Sequence, residues 1–174
     1  MLFRLSPAKN PQCNHHLQEP IDMQDTTRQP QLIIPAFGGF YRATADLAYP
    51  LIRFAAGVML IPHGWTKFFG GGLQGTAGLM SKIGLEPAYV VATYIGVLEL
   101  VGGTMLAIGL LTRFVAIQVV GFMAVAAFYV HWGNGFLWIK GGYEYPLFWG
   151  VVALAIVFRG GGRLSVDRLI GKEF

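Results

Sequence analysis

At 174 residues the chain has the length of one domain, but 54 % of it is hydrophobic and only 13 % charged, with a mean hydropathy of +0.52. Those proportions exclude a soluble globule and define an integral membrane protein. A net charge of +4 does not point to nucleic acid, because the basic residues are scattered around apolar runs rather than gathered on one face. The expected partner is the lipid bilayer. The one cysteine, Cys13, permits neither an internal disulfide nor a thiolate metal cluster.

Residues 1–40 alternate Pro, Gln, Asn, His and Asp with short apolar islets, and no stretch joins a basic region to an apolar one in the manner of a signal peptide. They read as a disordered cytoplasmic tail preceding a transmembrane domain over 41–174. Met23 offers a second place for translation to begin. The His15–His16 pair in this tail reads as solvated rather than metal-bound, and no metal site is expected.

Four apolar runs follow, at about 47–67, 87–111, 114–132 and 145–158, measured against the roughly 20 residues that cross a bilayer as a helix. The last is short and would borrow flanking glycines or thin the bilayer locally. Between the first two lies a Gly-rich stretch, Gly70 to Gly84, read as a flexible linker. Thr112–Arg113 makes a tight turn, and 133–144 is a loop whose islet Phe136-Leu137-Trp138 reads as interfacial. Arg42, Arg113, Arg159, Arg163, Arg168 and Lys172 flank one side, whereas Lys67, Lys82 and Lys140 flank the other. The positive-inside rule therefore puts both termini in the cytoplasm. With Gly96, Gly102, Gly103 and Gly109 in the second run permitting close helix approach, the expected fold is all-α, an antiparallel four-helix membrane bundle.

Polar residues interrupt these runs. Glu99 is an acid inside the otherwise uncharged stretch Pro87 to Leu111, where a carboxylate costs several kcal/mol unless protonated, paired or facing a polar cavity. Helical rise puts Arg53 about 9 Å deep from the cytoplasmic side, Glu99 about 18 Å, His63 about 24 Å and His131 about 25 Å. Arg53 is therefore expected to snorkel toward Glu99. Pro62 frees the carbonyl of Val58 and makes a polar niche beside His63. Simpler readings stand beside these: an Arg53–Glu99 pair that only fixes helix register, histidines that cap helix ends or meet headgroups, and Lys67 as an interface anchor.

His63-Gly64-Trp65-Thr66-Lys67 after an Arg-bearing helix is followed by Glu99-x-x-Gly102-Gly103 and Gly109-Leu110-Leu111-Thr112-Arg113. His131, Gly135-Phe136, Gly141-Gly142-x-Glu144-Tyr145 and Gly162-Arg163-Leu164-Ser165-Val166-Asp167 complete the series. In order and spacing this pattern, over about 45–168, resembles the DoxX family of small bacterial membrane proteins. The resemblance implies a multi-pass inner (plasma) membrane protein. It also implies a quinone connection, since the family is named for a subunit of a thiosulfate:quinone oxidoreductase and other members look like partners in redox-stress assemblies.

The resulting expectation is the membrane-embedded, quinone-interacting component of an oxidoreductase. Glu99 and Arg53 are the candidate catalytic residues, with Glu99 carrying the proton. His63, His131, Lys67 and Glu144 are the candidate cofactor-binding residues, the histidines on the quinone carbonyls and Lys67 or Glu144 linking the pocket to the outer aqueous phase. Electrons would come from a redox partner protein. Two alternatives stay open: a non-catalytic scaffold or assembly factor, and a b-type haem protein with His63 and His131 as axial ligands.

Overall fold

The computed structural model describes residues 31–173, so Cys13, the His15–His16 pair and Met23 lie outside the described residues. The chain divides into two units, Met1–Gly38 and Gly39–Phe174. In the described part of the first there is a single 3-10 turn, Pro35–Phe37, opened by proline.

Every regular element among the described residues is helical. Helix α1 (Gly38–Phe69) contains Pro50 and Pro62, each of which removes one bond from the helical ladder. Helix α2 is Gly72–Lys82, α3 is Ala88–Ile108 and α4 is Thr112–Asn134. Helix α5 is Glu144–Arg159, and the short α6 is Val166–Ile170. Among the described residues three helical stretches are long and apolar enough to cross a membrane: Pro35–Phe69, Ala88–Ile108 and Thr112–Asn134. Helix α5 has 16 residues, about 24 Å at the usual rise, against a hydrocarbon core of about 30 Å. Large apolar side chains such as Phe54, Val90, Val101, Phe128 and Phe148 lie exposed on these helices, as lipid-facing surface requires.

The Gly-rich stretch expected to be a flexible linker instead contains α2. Leu73, Thr76, Ala77 and Met80 fall on its more buried side, the spacing of one helical face. Gly84 ends it at φ 79°, with Gly84 N–H donating to Ser81 O at 3.1 Å and Leu85 N–H to Met80 O at 2.9 Å, the paired bonds of a Schellman motif.

Helices α1 and α3 pack backbone against backbone. A Cβ at Gly57 would stand 2.5 Å from Gly103 O, and one at Gly64 would stand 2.5 Å from Leu100 N and 2.9 Å from Gly96 O. Such approach is open only to glycine, and it sets an antiparallel register in which His63 and Lys67 lie level with Glu99. The same register puts Arg53 beside Gly109, where a Cβ would meet its Nη1 at 2.5 Å. Below the seam, Ala56, Leu60, Leu106, Val119, Ala153 and Ile156 form the buried core shared by α1, α3, α4 and α5.

Candidate functional site

Two helices lose their regular α-geometry at the same region of the molecule. In α3, residues Leu98–Gly102 form a π-helical turn, and in α4, Ala126–His131 form another. Each π turn accommodates an extra residue by widening the helix, a deviation concentrated at functional sites. Glu99 lies in the first, and Ala126 and His131 bound the second.

These residues line one cavity of about 230 Å³ together with His63, Phe122, Tyr145 and Trp149. The walls are otherwise aliphatic, so the polar groups face an apolar chamber, the arrangement of a small-molecule pocket. Glu99 is buried, and its Oε2 lies 2.5 Å from Lys67 Nζ, the two side chains being only 5 % and 14 % exposed. Among the described residues none bonds to Glu99 Oε1. Lys67 Nζ also lies 3.4 Å from His63 O, so the cation bridges the acid and the backbone of the first histidine.

At the other wall, His131 Nδ1 lies 2.6 Å from Gly141 O. A carbonyl can only accept, so Nδ1 carries the proton, and in the neutral ring Nε2 is left as an acceptor. Asn134 Nδ2 donates to the same carbonyl at 3.0 Å. The Gly135–Glu144 loop is thus fixed against the end of α4, helped by stacking of Trp132 on Tyr143 at 4.7 Å.

The structure brings three of the expected site residues, Glu99, His63 and His131, to one cavity, and a fourth, Lys67, is paired with Glu99 without itself lining the cavity. It does not bring Arg53 there. Gly109, just past the end of α3, is ten residues beyond Glu99, about 15 Å at helical rise, and Arg53 belongs to the Gly109 level. Its guanidinium donates to Gly161 O, to Leu164 O at 2.7 Å and to Ala107 O at 3.2 Å. The expected Arg53–Glu99 pair is therefore corrected to Lys67–Glu99. Glu144 is also elsewhere: its Oε2 accepts from Trp138 N at 3.1 Å, closing the 135–144 loop beside a separate apolar groove.

A second polar cluster, which sequence reasoning missed, surrounds Arg53. Helix α3 ends in a Schellman motif at Gly109, φ 76°, with Leu110 N–H donating to Met105 O at 2.8 Å. Leu111 follows at φ 48°, a left-handed conformation that costs a side-chain-bearing residue about 1 kcal/mol or more. Asp167 holds this turn: Oδ1 accepts from Leu111 N at 2.7 Å, and Oδ2 accepts from Thr112 N at 2.9 Å and Thr112 Oγ1 at 2.6 Å. Asp167 and Thr112 are buried, and Asp167 N returns a bond to Gly109 O at 2.9 Å. The signal in the sequence was the Ser165-Val166-Asp167 triplet, a helix cap whose Ser165 Oγ accepts from Arg168 N. Among the described residues no group of three or more His, Cys, Asp or Glu could hold a metal ion.

A helical membrane protein with an ion-paired carboxylate and two imidazoles around an apolar chamber is the class that fold and cavity define. The DoxX family model matches residues 48–132, a stretch that holds Glu99, His63, Lys67 and His131. An uncharacterized protein of Haemophilus influenzae is 34 % identical over 125 residues, covering 70 % of this chain and 90 % of the relative. The inner membrane protein YqjF of Escherichia coli is 30 % identical over 134 residues, 74 % of this chain and 96 % of the relative. An uncharacterized membrane protein of Mycobacterium tuberculosis is 31 % identical over 138 residues, 70 % of this chain and 80 % of the relative. The chain belongs to the DoxX family. No solved structure matches it.

Proposed function

We propose that this protein is the membrane-embedded, quinone-interacting component of an oxidoreductase or redox-stress assembly in the bacterial inner membrane. In this reading α5 crosses as a fourth span, both termini are cytoplasmic, and electrons come from a partner protein. The observation that carries it is the convergence of Glu99, His63 and His131 in one cavity of about 230 Å³. That volume lies below the roughly 300–1,000 Å³ of pockets for drug-sized ligands, which favours a single substituted ring over a macrocycle such as haem.

A quinone supplies two-electron, two-proton chemistry when bound, and each role needed from the protein has a candidate. His63 and His131 orient the ring's oxygens from opposite helices. Glu99 holds or releases a proton at Oε1, and Lys67, paired with Oε2 at 2.5 Å, balances its charge and connects it toward the outer aqueous side. The aromatic walls, Phe122 and Trp149, exclude water from the ring.

The scaffold reading draws on a different observation: three buried polar residues, Arg53, Thr112 and Asp167, serve packing alone. Purification from native membranes, followed by extraction and identification of bound quinones and proteins, separates the two. Bound quinone that falls in Glu99→Gln, His63→Ala and His131→Ala at equal folded yield supports the quinone role. No quinone in the parent protein, or equal content in all variants, overturns it.

A further inference from the structure

We infer that the end of α5 and the short α6 form a headgroup site for an anionic phospholipid, with Arg159, Arg168 and Lys172 as its cations. The site lies at the Arg53 end of the molecule, away from the Glu99 cavity, and does not depend on the quinone reading. Its shape is set by the backbone. Helix α6 ends in a Schellman motif at Gly171, φ 66°, with Gly171 N–H donating to Arg168 O at 3.2 Å and Lys172 N–H to Asp167 O at 3.1 Å. That reversal carries Glu173 back to the glycine run after α5, where its Oε1 accepts from Gly161 N at 2.6 Å and lies 3.5 Å from Arg113 Nε. Arg159, Arg168, Lys172, Asp167 and Glu173 all line the resulting groove of about 390 Å³.

Both acids of the groove are engaged elsewhere. Asp167 gives its two oxygens to Leu111 and Thr112, and Glu173 is shared by Gly161 and Arg113. The cations have no such partners. Among the described residues none pairs with the Arg168 guanidinium or the Lys172 ammonium, and Arg159 rests on the face of Tyr49 at 4.9 Å. Arg163, which is paired with Asp46, stands outside the groove. Three cations around one groove suit a phosphate, whose oxygens accept from guanidinium and ammonium alike. What makes the phosphate a lipid's is the apolar surface beside it. Phe158, Leu164, Leu169 and Ile170 are exposed, Leu169 at 86 %, each adjacent or close in sequence to one of these cations. A phospholipid places its headgroup on the cations and its acyl chains on such side chains, whereas a soluble phosphate would leave them in water.

Native mass spectrometry of the full-length protein in a neutral detergent, titrated with phosphatidylglycerol or with phosphatidylcholine of the same chain length, tests this. Phosphatidylglycerol is expected to bind about tenfold or more tightly, the order expected of two or three cations facing an anion at a membrane surface. Arg168→Gln with Lys172→Gln should bring that ratio toward one. Lys82→Gln with Lys140→Gln, which removes the same charge outside the groove, should leave it unchanged. Equal binding of the two lipids in the parent protein, or a loss of preference as large in the second pair of changes as in the first, overturns the site. Displacement of the lipid by an equal concentration of inorganic phosphate would make a soluble anion the ligand and overturns the lipid assignment.

Discussion

Lys67 lies one helical turn beyond Gly64, and its ammonium meets Glu99 Oε2 at 2.5 Å only because that glycine lets α1 rest on the backbone of α3. Seam and ion pair are two parts of one arrangement. Removing either partner leaves a charge in a low-dielectric interior. Lys67→Ala and Glu99→Leu should each destabilise by about 3–5 kcal/mol, read as a fall in the thermal unfolding midpoint in detergent. The double change Lys67→Met with Glu99→Leu should recover most of that loss. Full stability in Lys67→Ala would refute the pairing.

The seam itself can be tested with two glycines. Gly57→Ala directs a methyl into the Gly103 carbonyl and the Ala107 amide, backbone atoms that cannot rotate aside, so it should cost about 1–3 kcal/mol. Gly121→Ala meets nothing within 4 Å and should stabilise by up to about 1 kcal/mol through helix propensity. Unfolding curves of the two variants against the parent should shift in opposite directions.

Asp167 should behave as a clasp. Asp167→Ala strips the acceptor from Leu111 N–H, Thr112 N–H and the Thr112 hydroxyl, at about 1–3 kcal/mol for a buried donor left unsatisfied. Hydrogen exchange should accelerate at the Leu111 and Thr112 amides first. Unchanged exchange at both amides would refute the clasp.

At the mouth of α3, Glu86 accepts from Ser81 Oγ and from Ala88 N, both at 2.7 Å. These bonds hold its carboxyl below the ordinary carboxylate value, the Ser81 hydroxyl contributing most. A depressed folded value means that the stabilisation is complete above the ordinary carboxylate pKa and fades as pH falls through the lowered one. Exchange at the Ala88 amide should quicken across that acid window in the parent, while Glu86→Gln should remove the acid-side change.

For topology, six basic flanking residues against three predict that reporter fusions at residue 40 and at the C terminus both report cytoplasm, and that one within α2 reports the outside. A C terminus on the outside would mean that α5 does not cross.

Hydropathy alone located the second and third long helices to within a few residues, because lipid demands uninterrupted apolar sequence, whereas α1 begins at Gly38, well before the apolar run that starts near residue 47. Glu99 stood out for the same reason, and helical rise placed the two histidines in the same half of the bundle, about 6–7 Å beyond it. What rise could not supply was helix register: it made Arg53 a neighbour of Glu99, whereas the glycine seam sets it ten residues away and leaves Lys67 in its place. Arg53's acceptors, Gly161 and Leu164, are backbone carbonyls more than 100 residues along the chain, and no side-chain pattern announces a carbonyl. Helix α2 was obscured by composition, since glycine at three of its eleven positions hid the periodicity of Leu73, Thr76, Ala77 and Met80. The roles of Glu144 and Asp167 depended on loop closure, which spacing does not encode.

The π turn at Leu98–Gly102 separates two jobs along α3. Because the widened turn absorbs one extra residue, removing that residue would restore α-geometry while leaving the helix on either side in phase, so the Gly103 face would keep its place against α1. What would change is which side chain of the turn faces the chamber. The acid and the helix pairing are therefore separable along one helix, and a relative one residue shorter at this point would keep the pairing and lose the placement of Glu99.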